Sequence, residues 1–246
     1  MDAPAPAPPP TRPLGLVVGA TSAIGAGLAA ELADLGHDLV LWGRRPDALE
    51  SAAERCRSAG AAVTVEVVDV TDHQQLREGL ARVASLGALR TVVWTPGLFV
   101  WGRADQVDPA AWQELMAVNV TAPTVFTALV APLLVAAAPS TLVYLGSGAG
   151  HQAYADNAAY VASKHGLAGL ARATFLDLRD AGVKVSLVSP GLVAAGGGLH
   201  SPAGRERPES LLAVGDVAAA LRFVVTSSAA CCPTEVQLQP LRSPVG

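Results

Sequence analysis

Tyr160-Val161-Ala162-Ser163-Lys164 places a phenol and an amine four residues apart, on one face of a helix and within mutual reach. Ser147 precedes the tyrosine by thirteen residues and stands just past an apolar run that reads as a strand. An ordinary tyrosine titrates near pH ~10 and exchanges protons poorly at neutrality unless a positive charge favours its phenolate. Lys164 supplies that charge, and Ser147 adds a hydroxyl able to hydrogen-bond an oxygen on which negative charge develops. Together the three are equipped for acid-base work on an oxygen atom. The lysine is informative in itself. The chain has fifteen arginines and only two lysines, Lys164 and Lys184, so a compact, titratable charge stands where a delocalised one is the rule. Taken singly, the residues have plainer roles as an amphipathic helix position, a solvated charge and a loop hydroxyl. Their joint spacing argues for a site.

The elements that must position them follow from periodicity. Strands are predicted at Leu14–Val18, Asp38–Trp42, Ala62–Val68, Arg90–Trp94, Thr141–Leu145, Lys184–Val188 and Glu235–Gln239. Helices are predicted between them at Ala26–Leu35, Asp47–Ser58, Gln74–Ala84, Ala110–Ala138, Ala159–Asp180 and Gly215–Thr226. Such alternation implies right-handed crossovers and an α/β domain: one doubly wound parallel sheet of about seven strands covered on both faces. That single domain is expected over 14–246, after an Ala/Pro-rich leader, 1–13, expected to be disordered or polyproline-like. In such sheets ligands bind outside the carboxyl ends of the strands, where strand order reverses.

Composition bounds the partners. Apolar residues make up 51% and charged residues 15%, against the ~25% charged of an average soluble domain. Part of the surface is therefore expected to be covered by another subunit, in a homodimer or homotetramer built on the apolar helices Ala110–Ala138 and Ala159–Leu178. A net charge of −4 offers no basic stripe for nucleic acid or an anionic membrane. No Asp, Glu, Lys or Arg occurs from Leu115 to Ala155, a span of 41 residues, but Asn119, Pro123, Pro132, Pro139 and Ser140 interrupt it. It reads as a buried helix and a core strand rather than a membrane span. Three cysteines, Cys56 and the neighbours Cys231 and Cys232, form no secreted disulfide framework, which points to a reducing, cytoplasmic setting. No metal is expected.

After the first strand comes Gly19-Ala20-Thr21-Ser22-Ala23-Ile24-Gly25, whose glycines permit a tight turn and close backbone approach of a pyrophosphate to a helix N-terminus. The second strand ends in Gly43-Arg44-Arg45, with Arg44 nineteen residues beyond Gly25. Dinucleotide sites place an acidic residue near there for a ribose 2′-hydroxyl, or an arginine for a 2′-phosphate. A guanidinium pairs two phosphate oxygens that a carboxylate would repel, so NADP(H) is expected over NAD(H). Asp69 and Val70, after the third strand, stand where a carboxylate could accept from an adenine amino group. The plainer reading makes Asp69 a cap for the helix starting near Asp72.

With Asn119 in the preceding helix, these residues complete a pattern that resembles the short-chain dehydrogenase/reductase family from about residue 14 to 242. Tyr160-x-x-x-Lys164 with Ser147 thirteen before it is the most specific part. The glycine turn, Asn119-Val120 and Ser189-Pro190-Gly191 support it. The resemblance implies a Rossmann-like fold. It also implies that Tyr160 donates a proton to a carbonyl oxygen as hydride arrives from a nicotinamide, with Ser147 on the same oxygen. Lys164 is implied to hold the nicotinamide ribose and Asn119 to anchor a water in a proton relay. The cofactor would further touch Gly97 and the stretch Pro190, Gly191 and Val193. The chain departs from the pattern at Val18 and Ala23, where the family usually has Thr and Gly, and at Trp94-Thr95-Pro96-Gly97, where it commonly has Asn-Asn-Ala-Gly. Two amides that usually bond strand to strand beneath the cofactor are thereby lost. Ala195 replaces a frequent Thr, leaving carboxamide contacts to the backbone.

The substrate loop is expected at about 194–209, Gly/Pro-rich and mobile until ligand orders it, with Phe99, Trp101, His151, Gln152 and Tyr154 as candidate pocket residues. The reading favoured is an NADPH-dependent carbonyl reductase or alcohol dehydrogenase acting on a small carbonyl or hydroxyl compound, with a secondary-metabolite ketone or aldehyde as a candidate. Its alternatives are a lyase or isomerase reusing Tyr160 and a catalytically silent nucleotide-binding protein.

Overall fold

A computed structural model of the protein describes residues 12–242, so the predicted leader lies outside the described residues except for Arg12 and Pro13. Those two are docked. Arg12 donates to the carbonyls of Ala33 and His37 and pairs with Asp38 at 3.2 Å.

Seven parallel strands form one sheet in the order β3-β2-β1-β4-β5-β6-β7: β1 (Leu14–Val18), β2 (Asp38–Gly43), β3 (Val63–Val67), β4 (Leu89–Trp94), β5 (Ser140–Leu145), β6 (Val183–Pro190) and β7 (Glu235–Leu238). Strand order reverses between β1 and β4, which places the expected crevice at their carboxyl ends. The chief helices are α1 (Ala23–Asp34), α2 (Pro46–Ser58), α3 (His73–Leu86), α4 (Pro109–Met116), α5 (Ala122–Ala136) and α6 (Ala158–Leu178), followed by two short ones, α7 (Gly197–His200) and α8 (Pro202–Glu206), and by α9 (Val214–Thr226). The substrate loop expected at 194–209 is thus partly helical.

Side chains alternate across the sheet with the period of two that strands impose. Val17, Leu39, Leu41, Val93 and Val188 face α1, α2 and α9, whereas Leu16, Val18, Trp42, Trp94 and Tyr144 face α3, α5 and α6. On the second face, Phe126 of α5 packs against Trp94 with ring centroids 4.6 Å apart. The sheet is therefore closed on both sides, and only its ends are open to a ligand.

The helix expected as one piece over Ala110–Ala138 is interrupted by a π turn at Ala117–Thr121. Pro123 explains the break, since it has no N–H for the carbonyl of residue 119 and its ring crowds that carbonyl. The stretch Pro109–Ala136 is long and apolar enough to cross a membrane, yet Phe126, Val130 and Leu134 pack against the sheet. Only about two-fifths of its most apolar window is buried within the chain, so the expected burial of this helix is partial.

Candidate active site

Ser147 leaves β5 and caps a short 3₁₀ turn, Gly148–Gly150, its Oγ accepting from the amide of Ala149 at 3.2 Å. Tyr160 and Lys164 lie in the first two turns of α6, which crosses the carboxyl end of β5. The fold thus brings the three together, with the Ser147 hydroxyl beside that of Tyr160. Nζ of Lys164 donates to the carbonyl of Leu145 at 3.2 Å and lies 5.7 Å from the centre of the Tyr160 ring.

Burial sets the electrostatics. Lys164 is 5% exposed with no carboxylate beside it among the described residues, and desolvation pushes its ammonium down to about 8. Desolvation likewise pushes the Tyr160 phenol above its ordinary value, opposed by the neighbouring Ser147 hydroxyl. In the protein alone, burial therefore outweighs the help that the sequence led one to expect from the lysine's charge.

Asn119 sits in the π turn, 1% exposed. Its Oδ1 accepts from the amide of Leu98 at 2.7 Å, and its Nδ2 donates to the Leu98 carbonyl at 2.9 Å and to Ser163 Oγ at 3.0 Å. Both amide hydrogens are therefore committed within the chain. Through Leu98, Asn119 anchors the loop after β4. Gly97 lies at the same point, where an added Cβ would come within 3.4 Å of Lys164 Nζ.

The glycine turn fits a dinucleotide. Gly19 has φ 86°, and a Cβ there would meet Thr95 Oγ1 at 2.3 Å, so the backbone is free to turn sharply against β4. Its amide and that of Ala20 both donate to the carbonyl of Trp42, drawing the turn against the end of β2. Ser22 caps α1 by accepting from Gly25 at 2.9 Å. Among the described residues, the amides of Ala23 and Ile24 in the first turn have no partner, which suits a pyrophosphate.

The two arginines differ. Arg45 donates across the turn to the carbonyl of Thr21, whereas Arg44 is exposed and forms no ion pair among the described residues. Asp69 is not a helix cap: its Oδ1 accepts from the amide and hydroxyl of Thr71, and Asp72 caps α3 by accepting from Gln74 and Gln75. Val70 packs at the edge of the core beside it.

At the far side, Pro190 ends β6, and the amide of Gly191 donates to Leu238 at 2.7 Å. Val193 is buried, and its short pairing with Leu212 ties the start of the substrate loop to the segment before α9. The apparent gap at Trp94-Thr95 is filled differently from the family pattern. Thr95 Oγ1 donates to the carbonyl of Val18 at 2.7 Å, supplying a side-chain bond from the end of β4 to β1 without a side-chain amide.

Sequence reading missed a network beneath the serine turn. Nε2 of His151 lies 2.8 Å from Glu235 Oε1 and 3.1 Å from Ser189 Oγ, while Arg172 of α6 reaches the other oxygen of Glu235 at 3.1 Å. His151 is thus engaged with β6 and β7. Nothing in local sequence joins residues so far apart.

Comparison with known proteins agrees with this geometry. The family model described as short chain dehydrogenase matches residues 14–200. The chain is 33% identical over 185 residues to a putative ketoacyl reductase of granaticin polyketide synthase from Streptomyces violaceoruber, covering 74% of this chain and 68% of that protein. It is 30% identical over 237 residues to sulfoacetaldehyde reductase 2 of Chromohalobacter salexigens, covering 92% and 94%. A metagenomic short-chain oxidoreductase solved in complex with NADP superposes with a TM-score of 0.80 at 29% identity, over 94% and 98% of the two chains. By the matched span, the relatives and the assembled Ser147, Tyr160 and Lys164, the chain belongs to the short-chain dehydrogenase/reductase family, oxidoreductases that exchange hydride between a nicotinamide cofactor and a small substrate.

Proposed function

We propose that this enzyme is an NADPH-dependent carbonyl reductase in which Ser147, Tyr160 and Lys164 perform the chemistry. The observation that carries the reading is the meeting of these three side chains at the carboxyl edge of β5, with the lysine buried and Gly97 leaving room beside its ammonium. A bound NADPH supplies the hydride that adds to the substrate's carbonyl carbon. Tyr160 gives its hydroxyl proton to the carbonyl oxygen, so the C=O π bond opens to an alcohol with charge balanced. Ser147 donates to the same oxygen and stabilises the charge that develops there. Lys164 spends one N–H on Leu145, which leaves two for the hydroxyls of the nicotinamide ribose.

Gly19, Thr21, Ser22, Ile24 and Gly25 form the pyrophosphate turn, and Gly97, Pro190, Gly191 and Val193 border the nicotinamide end. Arg44, which forms no ion pair among the described residues, takes the 2′-phosphate, and Arg45 braces the turn. Asp69 and Val70 flank the adenine. A relative named as a ketoacyl reductase, another named as an aldehyde reductase and a neighbour solved with NADP support reduction of a ketone or aldehyde. The Thr95 bond weakens the case for a non-redox enzyme, which rested on the altered Trp94–Gly97 stretch. Intact Ser147, Tyr160 and Lys164 argue against a silent nucleotide-binding protein.

The same reading includes a cytoplasmic homodimer or homotetramer, supported by the apolar surface that α5 and α6 leave open, with Val135 and Leu176 exposed. Light scattering should give a particle at least twice the 25.0 kDa chain. The decisive assay follows the nicotinamide absorbance while NADPH and a panel of ketones and aldehydes are mixed with the protein. Consumption with at least one carbonyl is expected; NADPH binding with no consumption across the panel would count against the reductase.

A further inference from the structure

The chain is poor in aromatic residues, with eleven in all, and Phe99, Trp101, Tyr154 and Phe223 are the exposed ones. Three of these four surround the candidate site. Phe99 meets the Tyr160 ring edge to face, with centroids 4.8 Å apart, and Trp101 lies 6.0 Å beyond it at an angle of 48°. The Tyr154 hydroxyl reaches the Gly148 turn, next to Ser147.

The segment that carries Phe99 and Trp101 is held at both ends. Asn119 clamps Leu98 through two hydrogen bonds, and the amide of Gly102 donates to the carbonyl of Asp156 at 2.8 Å, just before α6. Gly197, at the start of α7, lies against the Phe99 ring on the substrate-loop side. The rings are therefore displayed on a braced loop, so little ordering remains to be done when a ligand arrives. Elsewhere this chain fills apolar positions with Ala, Val and Leu, which would line a pocket for aliphatic groups equally well. Flat, rigid rings favour a flat partner, since aromatic pairs gain from ring-to-ring geometry beyond the area they bury.

We propose that Phe99 and Trp101 form a preformed aromatic shelf over Tyr160 that selects substrates whose carbonyl is attached to a planar, conjugated ring. The proposal rests on the reductase reading for the carbonyl. The shelf itself is tested by binding, without turnover.

Calorimetric titration of the NADP⁺-loaded protein, in which a ketone cannot be reduced, would compare 2-acetylnaphthalene with its fully saturated counterpart, 2-acetyldecalin. The aromatic ketone should bind more tightly, by about two- to tenfold for each ring engaged. Phe99→Leu and Trp101→Leu should each shrink that ratio, and Trp101→Phe should restore most of it. Thermal melting shows that each variant is folded before it is titrated. Equal binding of the two ketones, binding of neither, or a ratio that survives both leucine variants would overturn the shelf. A ring preference in a protein that reduces no carbonyl would uphold the shelf and sink the reductase. Carbonyl reduction with no ring preference would do the reverse.

Discussion

The hydroxyl of Thr95 donates to the carbonyl of Val18 at 2.7 Å, beside the bond that the Thr95 amide makes to the same oxygen at 3.0 Å. A short hydroxyl thus fastens β4 to β1 directly under the glycine turn. Thr95→Val keeps the shape and removes the buried bond, so it should lower unfolding stability by about 1 kcal/mol. Chemical denaturation checks this, and no change in midpoint would show that the hydroxyl adds nothing to the amide.

Arg44 should set the cofactor preference. With no carboxylate partner among the described residues, its guanidinium is free for a 2′-phosphate, and a charge-assisted contact of that kind corresponds to roughly tenfold to a hundredfold tighter binding of NADPH over NADH. Titration with both cofactors measures it. Arg44→Asp should reverse the order, and a variant that still prefers NADPH would remove Arg44 from the site.

Tyr160→Phe should lower kcat by about 10²–10⁴-fold or more while leaving NADPH affinity nearly intact, because only the proposed proton donor is lost. Ser147→Ala should lower kcat in the same selective way. Lys164→Ala should damage both turnover and affinity. Steady-state kinetics beside direct NADPH titration separates the cases. Near-normal reduction by Tyr160→Phe would demand another acid.

The buried ammonium of Lys164 should also show in stability against pH. Its folded value of about 8 lies below the ordinary 10.5, so across that window the unfolded chain holds a proton that the folded chain releases. Stability therefore rises with pH from about 8 upward, and the cost is fully present below 8. Lys164→Met, in the cofactor-free protein, should raise stability at pH 7 by about 1–3 kcal/mol. That gain should fall by about half by pH 9.5. Denaturation midpoints at the two pH values test it, and an equal gain at both would show that the ammonium carries no such cost. Function, on this view, retains a residue that folding alone would discard.

Much of this was legible in the sequence. The strands are marked by short apolar runs bounded by turn residues, and the period of two assigns their faces without any tertiary information. Tyr160 and Lys164 are neighbours on one helix, so spacing alone brings them together. The π turn at Ala117–Thr121 was hidden because one extra residue in a turn leaves the apolar pattern of a long helix almost unchanged. The difference between Arg44 and Arg45 depends on where Thr21 lies, and the contact of His151 with Glu235 spans from the serine turn to the edge strand. Such contacts are fixed by chain folding and leave no mark in local periodicity.

The π turn gives the helix a count that the site depends upon. Each residue of a regular helix advances the side chains by about 100°. Deleting Val120 would rotate Asn119 relative to everything beyond it, while Pro123 would still deny the helix an ordinary register. The loop clasped through Leu98 would lose its hold, and with it the rings displayed from that loop. The surplus residue acts as a phase shifter: upstream and downstream halves each satisfy their own packing only while the offset between them is kept. Insertions and deletions in Pro109–Ala136 are consequently far less tolerable than substitutions, although much of that stretch faces outward.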